Sequence, residues 1–235
     1  MIKGERKPLA EIRELIAPYN RILVLGCGTC VTICFAGGEK EVADLASALR
    51  LMERREGKEK EFLEHTVKRQ CEKEFLEDIA DSLKQADAVL SLACAVGVQA
   101  VAQHFPTVHV LPAINTSFLG LIEEPGVWSE VCVACGNCVL GLTGGICPIT
   151  RCAKSLLNGP CGGSVGGKCE ISPDVPCGWQ LIYERLARLG LLETLEKIQP
   201  PKDWSSSHSR GPRRIVREDL RLQPIGEREP LVKGR

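Results

Sequence analysis

The chain has 235 residues, 44% of them hydrophobic and only 4% aromatic, with 30 Lys+Arg balanced by 30 Asp+Glu. That length holds one medium domain with an appendage or two small domains, with a core that rests mainly on Val, Ile, Leu and Ala. The zero net charge argues against a nucleic-acid or anionic-membrane partner, both of which are drawn to basic surfaces.

Residues 1–7 are charged and lead into Pro8 with no apolar stretch of signal-peptide form, so the expected location is cytoplasmic. Leu9, Ile12 and Ile16 have helical spacing before Pro18 and Asn20 break the run. Residues 21–25 predict a short buried strand that runs into Cys27 and Cys30. From Glu39, the residues Val42, Leu45, Leu49 and Met52 recur on one face of an amphipathic helix that Gly57 stops. Residues 65–70 predict a strand running into Cys71, and Phe75, Leu76, Ile79 and Leu83 a helix ending near Ala86. Residues 87–92 predict a further buried strand running into Cys94, residues 97–104 a helix, and residues 107–111 a last strand. The longest apolar run, residues 88–102, contains Gly97 and Gln99 and is too short to span a bilayer.

Strands alternating with helices of this length predict an α/β domain over residues 1–125 with a doubly wound parallel sheet, Rossmann- or flavodoxin-like. Such sheets place ligands outside the carboxyl ends of their strands, where Cys27, Cys30, Cys71 and Cys94 are expected to meet. Composition changes near Pro125. Residues 126–199 predict a cysteine-rich, ferredoxin-like module in which glycine and cysteine dominate up to Gly178, after which Trp179, Ile182, Leu186 and Leu189 share one face of a helix. A segment so poor in apolar residues needs metal ligation to supply much of its folding free energy. After Gln199-Pro200-Pro201 the chain turns polar, and residues 200–235 read as an extended tail that wraps the body or a partner.

Thirteen cysteines stand against four histidines. In a reducing compartment, such density means thiolate-held metal before it means disulfides. The first site is built on Gly26-Cys27-Gly28-Thr29-Cys30-Val31-Thr32-Ile33-Cys34, a C-x2-C-x3-C run at a strand-to-helix turn, where glycines let the backbone approach an inorganic ligand and a helix N-terminus favours thiolates. Cys27, Cys30, Cys71 and Cys94 are the favoured ligands, with Cys34 one helical turn beyond Cys30 as an alternative. A thioredoxin-like dithiol leaves Cys71 and Cys94 unexplained. A dinucleotide fingerprint fails because Val31 holds the third glycine position and no acidic residue ends the second strand.

The second signal is stronger. Cys132-x2-Cys135-x2-Cys138 opens like a bacterial ferredoxin motif, and Cys147-Pro148 supplies its Cys-Pro element after a longer loop. With Cys152, Cys161, Cys169 and Cys177 the module holds eight cysteines, enough for two four-cysteine sites. The expected cofactors are two to three [4Fe-4S] clusters. Zinc is the alternative metal, and a zinc-stabilised scaffold without redox activity the alternative function, because structural zinc also takes four thiolates. His65, His104, His109 and His208 form no constellation, and no acid–base pair marks a substrate pocket.

With these motifs in view, the chain resembles the iron–sulfur subunit (MetV type) of two-subunit methylenetetrahydrofolate reductases of anaerobic, often acetogenic, bacteria. The resemblance rests on Gly26-Cys27-Gly28-Thr29-Cys30, Gly37-Gly38-Glu39, Arg69-Gln70-Cys71, Leu92-Ala93-Cys94, Gly97-Val98-Gln99 and Asn115-Thr116. In the second half it rests on Thr143-Gly144-Gly145-Ile146-Cys147-Pro148, on the stretch from Cys152-Ala153-Lys154 to Gly159-Pro160-Cys161-Gly162-Gly163, and on Lys168-Cys169-Glu170. It implies a flavin-containing catalytic subunit as partner, with FMN and the folate bound there. It also implies ferredoxin or another donor complex upstream, and electron transfer within the Wood–Ljungdahl pathway of one-carbon metabolism.

Overall fold

The computed structural model describes residues 1–208 and 211–221. The first strand, β1 (Ile2–Arg6), is followed by α1 (Leu9–Ile16), β2 (Arg21–Cys27), α2 (Cys30–Ile33), α3 (Glu39–Arg55), β3 (Glu61–Val67), α4 (Ala80–Leu83), β4 (Ala88–Ser91), α5 (Ala95–His104) and β5 (His109–Pro112). Strands β2 to β5 form a parallel four-stranded sheet in the order β3-β2-β4-β5. The chain therefore passes from β3 back across β2 to reach β4, and the carboxyl end of β2 lies between two outgoing connections.

Both faces of this sheet are covered, which explains why β2 is buried from Ile22 to Cys27 instead of alternating. On one face Ile22, Val24 and Leu90 pack with Ile12 and Ile16 of α1 and with Val42, Leu45 and Leu49 of α3. On the other, Leu23, Leu25 and Val89 pack with Leu76, Ile79, Leu83 and Val101. The fold is a mixed α/β one, with the parallel sheet and flanking helices that the alternating periodicities predict.

Three segments differ from their predicted form. Strand β3 is Glu61–Val67 and not residues 65–70, because it pairs with β2 in register from Arg21↔Glu61 to Cys27↔Val67 and leaves the sheet where β2 ends. The predicted helix through Phe75 and Leu83 is two 3-10 turns, Lys73–Phe75 and Glu77–Ile79, followed by the single turn α4. Leu76, Ile79 and Leu83 are still buried and Phe75 partly so, since the i, i+3 spacing of Leu76 and Ile79 also suits 3-10 geometry. The third difference is a second sheet. Residues 1–7 carry β1, which pairs antiparallel with β6 (Ile114–Glu124), itself paired with β7 (Val127–Cys132). The composition change near Pro125 falls at the turn of this β6–β7 hairpin, where Gly126 has φ 93°.

Beyond β7 regular structure is sparse: α6 (Pro148–Arg151), a two-stranded ladder of β8 (Lys168–Cys169) and β9 (Ser172–Pro176), and α7 (Gly178–Leu189). Helix α7 buries Trp179, Ile182 and Leu186 against Ile146, Cys152, Leu156 and Cys177, a small core of its own. Of the predicted tail, residues 209–210 and 222–235 lie outside the described residues. Among the described residues, no helix is long and apolar enough to cross a membrane.

Candidate metal centre

All thirteen cysteines are free thiols, and they fall in three places. The first is the carboxyl edge of the parallel sheet. Cys27 is the last residue of β2, and Cys94 is the N-cap of α5, just after the neighbouring strand β4. Cys71 lies four residues beyond the end of β3, in the turn that follows it. Partial burial pushes the Cys71 thiol up, and the charges of Cys27 and then Cys94 push it further. Cys71 itself is exposed. Cys30, half-buried, opens α2 on the same loop. Cys34 is turned elsewhere: it is buried, and its Sγ donates to the Ile2 carbonyl at 3.4 Å.

One residue holds this edge together, and its role could not be read from its position in the sequence alone. Gln70 is fully buried. Its Nε2 donates to the carbonyls of Leu25 at 2.9 Å and Gly26 at 3.1 Å, and its Oε1 accepts from Ser91 Oγ at 2.7 Å. The side chain next to Cys71 is thereby fastened to the ends of β2 and β4 at once. Gly97 leaves the room for it, since a Cβ there would stand 3.0 Å from the Gln70 Cβ. Gly37 permits a closer approach still: a Cβ at that position would lie 1.8 Å from the Leu92 carbonyl oxygen.

The second place is the loop after β7. Ala134, Gly136 and Asn137 all have positive φ (51°, 64° and 30°), so the loop between Cys132 and Cys138 curls on itself. The Ala134 N–H donates to Cys132 Sγ at 3.3 Å. Cys132 and Cys147 line one cavity of about 390 Å³, with Leu121, Val131, Ile146 and Leu181. The third place is closed by α7. Cys152, Cys161, Cys169 and Cys177 line a single small cavity, with Lys154 and Glu170 at its wall. Lys154 and Glu170 form an ion pair, and the Gly163 N–H donates to Cys161 Sγ at 3.4 Å. Trp179 Nε1 donates to the Leu156 carbonyl at 3.0 Å and pins α7 over this site.

Backbone N–H groups aimed at sulfur suit thiolates that carry charge, as metal-bound cysteines do. Four sulfurs around one cavity match the donor number of a cubane cluster or of structural zinc. Among the described residues, no three His, Cys, Asp or Glu side chains converge closely enough to hold a single metal ion. Of the histidines, His104 bonds Glu77 at 3.0 Å and His109 bonds Tyr19.

Residues 111–205 match the family model described as Methylene-tetrahydrofolate reductase C terminal. The match supports a protein related to methylenetetrahydrofolate reductase and to one-carbon metabolism. It begins in β5 and takes in the hairpin, both cysteine groups of the second half and α7, while the strand-end cysteines lie outside it. No curated protein and no solved structure matches the chain.

Proposed function

We propose that this chain is the iron–sulfur electron-transfer subunit of a methylenetetrahydrofolate reductase complex. It takes electrons from ferredoxin or another low-potential donor and passes them to the FMN of a partner catalytic subunit that reduces methylenetetrahydrofolate to methyltetrahydrofolate. The observation that carries this reading is the grouping of the cysteines. Eight cysteines lie inside the segment that matches the reductase C-terminal family, four of them around one cavity and Cys132 and Cys147 around another, and more stand at the edge of the parallel sheet.

In this reading the sheet is a doubly wound one, and its switch point holds the first centre through Cys27, Cys30, Cys71 and Cys94. Cys132, Cys135, Cys138 and Cys147 hold the second, and Cys152, Cys161, Cys169 and Cys177 the third. Cys34 is left out, because its thiol serves the Ile2 carbonyl. An iron–sulfur cluster, when bound, supplies one-electron chemistry with no acid–base partner. The protein's part is to hold the sulfurs, aim N–H groups at them and keep them near a docking surface. The reductase relationship comes from the family match, and the redox role from the thiols.

The test is anaerobic purification followed by counting iron, zinc and acid-labile sulfide per chain. Three cubane sites predict about twelve irons with equal sulfide in a brown protein. Zinc without sulfide would instead make the chain a structural subunit.

A further inference from the structure

The chain beyond α7 returns to the Cys132–Cys138 loop. Lys202 Nζ donates to the carbonyls of Gly136 at 2.8 Å and Asn137 at 2.6 Å. Arg213 Nη2 donates to the Ala134 carbonyl at 3.3 Å, and Arg213 also donates to the Ser206 carbonyl, tying the returning segment to itself. Ser206 lies directly on the loop: a Cβ on Gly136 would stand 2.1 Å from its Oγ. That hydroxyl is buried and has no hydrogen-bond partner. Two cations and one unpaired O–H donor are thus gathered on seven residues that carry three cysteines.

We propose that Lys202, Arg213 and Ser206 are positioning residues that set the reduction potential of the centre held by the Cys132–Cys138 loop. This rests on the iron–sulfur reading above. The physical argument has two parts. Reduction adds one electron, and so one negative charge, to the centre, with no bond made or broken in the protein. A fixed cation nearby favours the reduced form over the oxidised one. Lys202 and Arg213 also sit on the carbonyls of Ala134, Gly136 and Asn137, which polarises the peptides that carry the N–H groups of Cys135, Asn137 and Cys138 and makes those groups stronger donors within the loop. The Ser206 hydroxyl, with no acceptor of its own in the protein, is an O–H donor left for a cluster sulfur. Asp203, the acidic residue beside Lys202, is held by the Ser205 N–H at 2.7 Å and the Ser205 hydroxyl at 2.8 Å.

The experiment is a dithionite titration of the anaerobically purified full chain, followed by EPR and visible absorption, on wild type and on Lys202→Met, Arg213→Met, their double variant, Ser206→Ala and Lys202→Arg. The double variant is expected to lower the reduced-to-oxidised ratio of one centre by about tenfold, a fall of about 59 mV for a one-electron couple, while the other centres keep their potentials. Ser206→Ala should move the same centre in the same direction, and Lys202→Arg should restore the wild-type value. If the double variant loses the loop's iron, Arg213→Met carries the measurement, because that side chain is exposed. Iron retained with no potential moved, or all centres moved alike, would overturn the assignment. A wild-type chain with no iron would overturn it together with the iron–sulfur reading, and the metal analysis separates the two failures.

Discussion

At the scale of single residues, the carboxyl edge of the sheet depends on one buried amide that fastens the turn bearing Cys71. Gln70 is fully buried and makes three hydrogen bonds, all to groups at the ends of β2 and β4. Replacing it with Leu keeps most of the volume but takes a donor from the Gly26 carbonyl and the acceptor from the Ser91 hydroxyl, while the Leu25 carbonyl keeps the Leu92 N–H at 2.8 Å, at a cost of about 1–3 kcal/mol. The expected result for Gln70→Leu is a lower urea midpoint with an unchanged slope. It also includes faster reaction of Cys71 with iodoacetamide, since the turn bearing it is no longer fastened. A wild-type midpoint and wild-type alkylation rate would show that the backbone holds the turn by itself. The cysteines at this edge were legible from their strand-end positions, because a parallel sheet gathers all its carboxyl ends on one side. Gln70 was not, since a glutamine before a cysteine looks like any surface amide until the three strands are paired.

At the scale of elements, legibility followed the sequence distance of the partners. Helices α1, α3 and α7 were readable because a 3.6-residue period is local and needs no knowledge of what covers the face. The sheet of β1, β6 and β7 was not, because β1 joins β6 across more than a hundred residues, with Ile2 opposite Leu119. Its sequence, Ile-Lys-Gly-Glu-Arg, has no apolar alternation to announce it. Helix α7 shows what a locally readable element does here. Its buried face supplies apolar packing in a segment rich in glycine and cysteine, and Gly178 lets it seat against α6: a Cβ there would meet the Arg151 carbonyl at 2.5 Å. Ile182→Ala should therefore cost about 2–5 kcal/mol. It should also speed chelator extraction of metal from the Cys152–Cys177 site while leaving the strand-end site untouched. Equal loss from both would mean that α7 stabilises the whole chain and not this module.

At the scale of the whole molecule, the β6–β7 hairpin links the strand-end cysteines to the cysteine-rich segment. Thr116 of β6 accepts the Ala95 N–H at 2.8 Å, one residue from Cys94. Three residues on, Leu119 pairs with Cys132 of β7. That separation along an extended strand is roughly 10 Å, so β6 carries the chain from the residue beside Cys94 to the partner of Cys132, and on the iron–sulfur reading proposed above the first two centres are neighbours. Phe35 and Trp128 reinforce the joint by an edge-to-face contact with centroids 6.4 Å apart. On the iron–sulfur reading the three groups draw their ligands from separate elements, so each should fill on its own. Cys94→Ser is expected to remove about four irons and Cys169→Ser about four more, with the losses additive in the double variant. Proximity makes a further demand that independence alone does not. In the fully reduced protein the first and second centres should broaden each other's EPR signals, and Cys94→Ser should sharpen the signal that remains. A sharpened spectrum after Cys169→Ser but not after Cys94→Ser would reverse the order of the centres along the chain and remove the hairpin as the link between them.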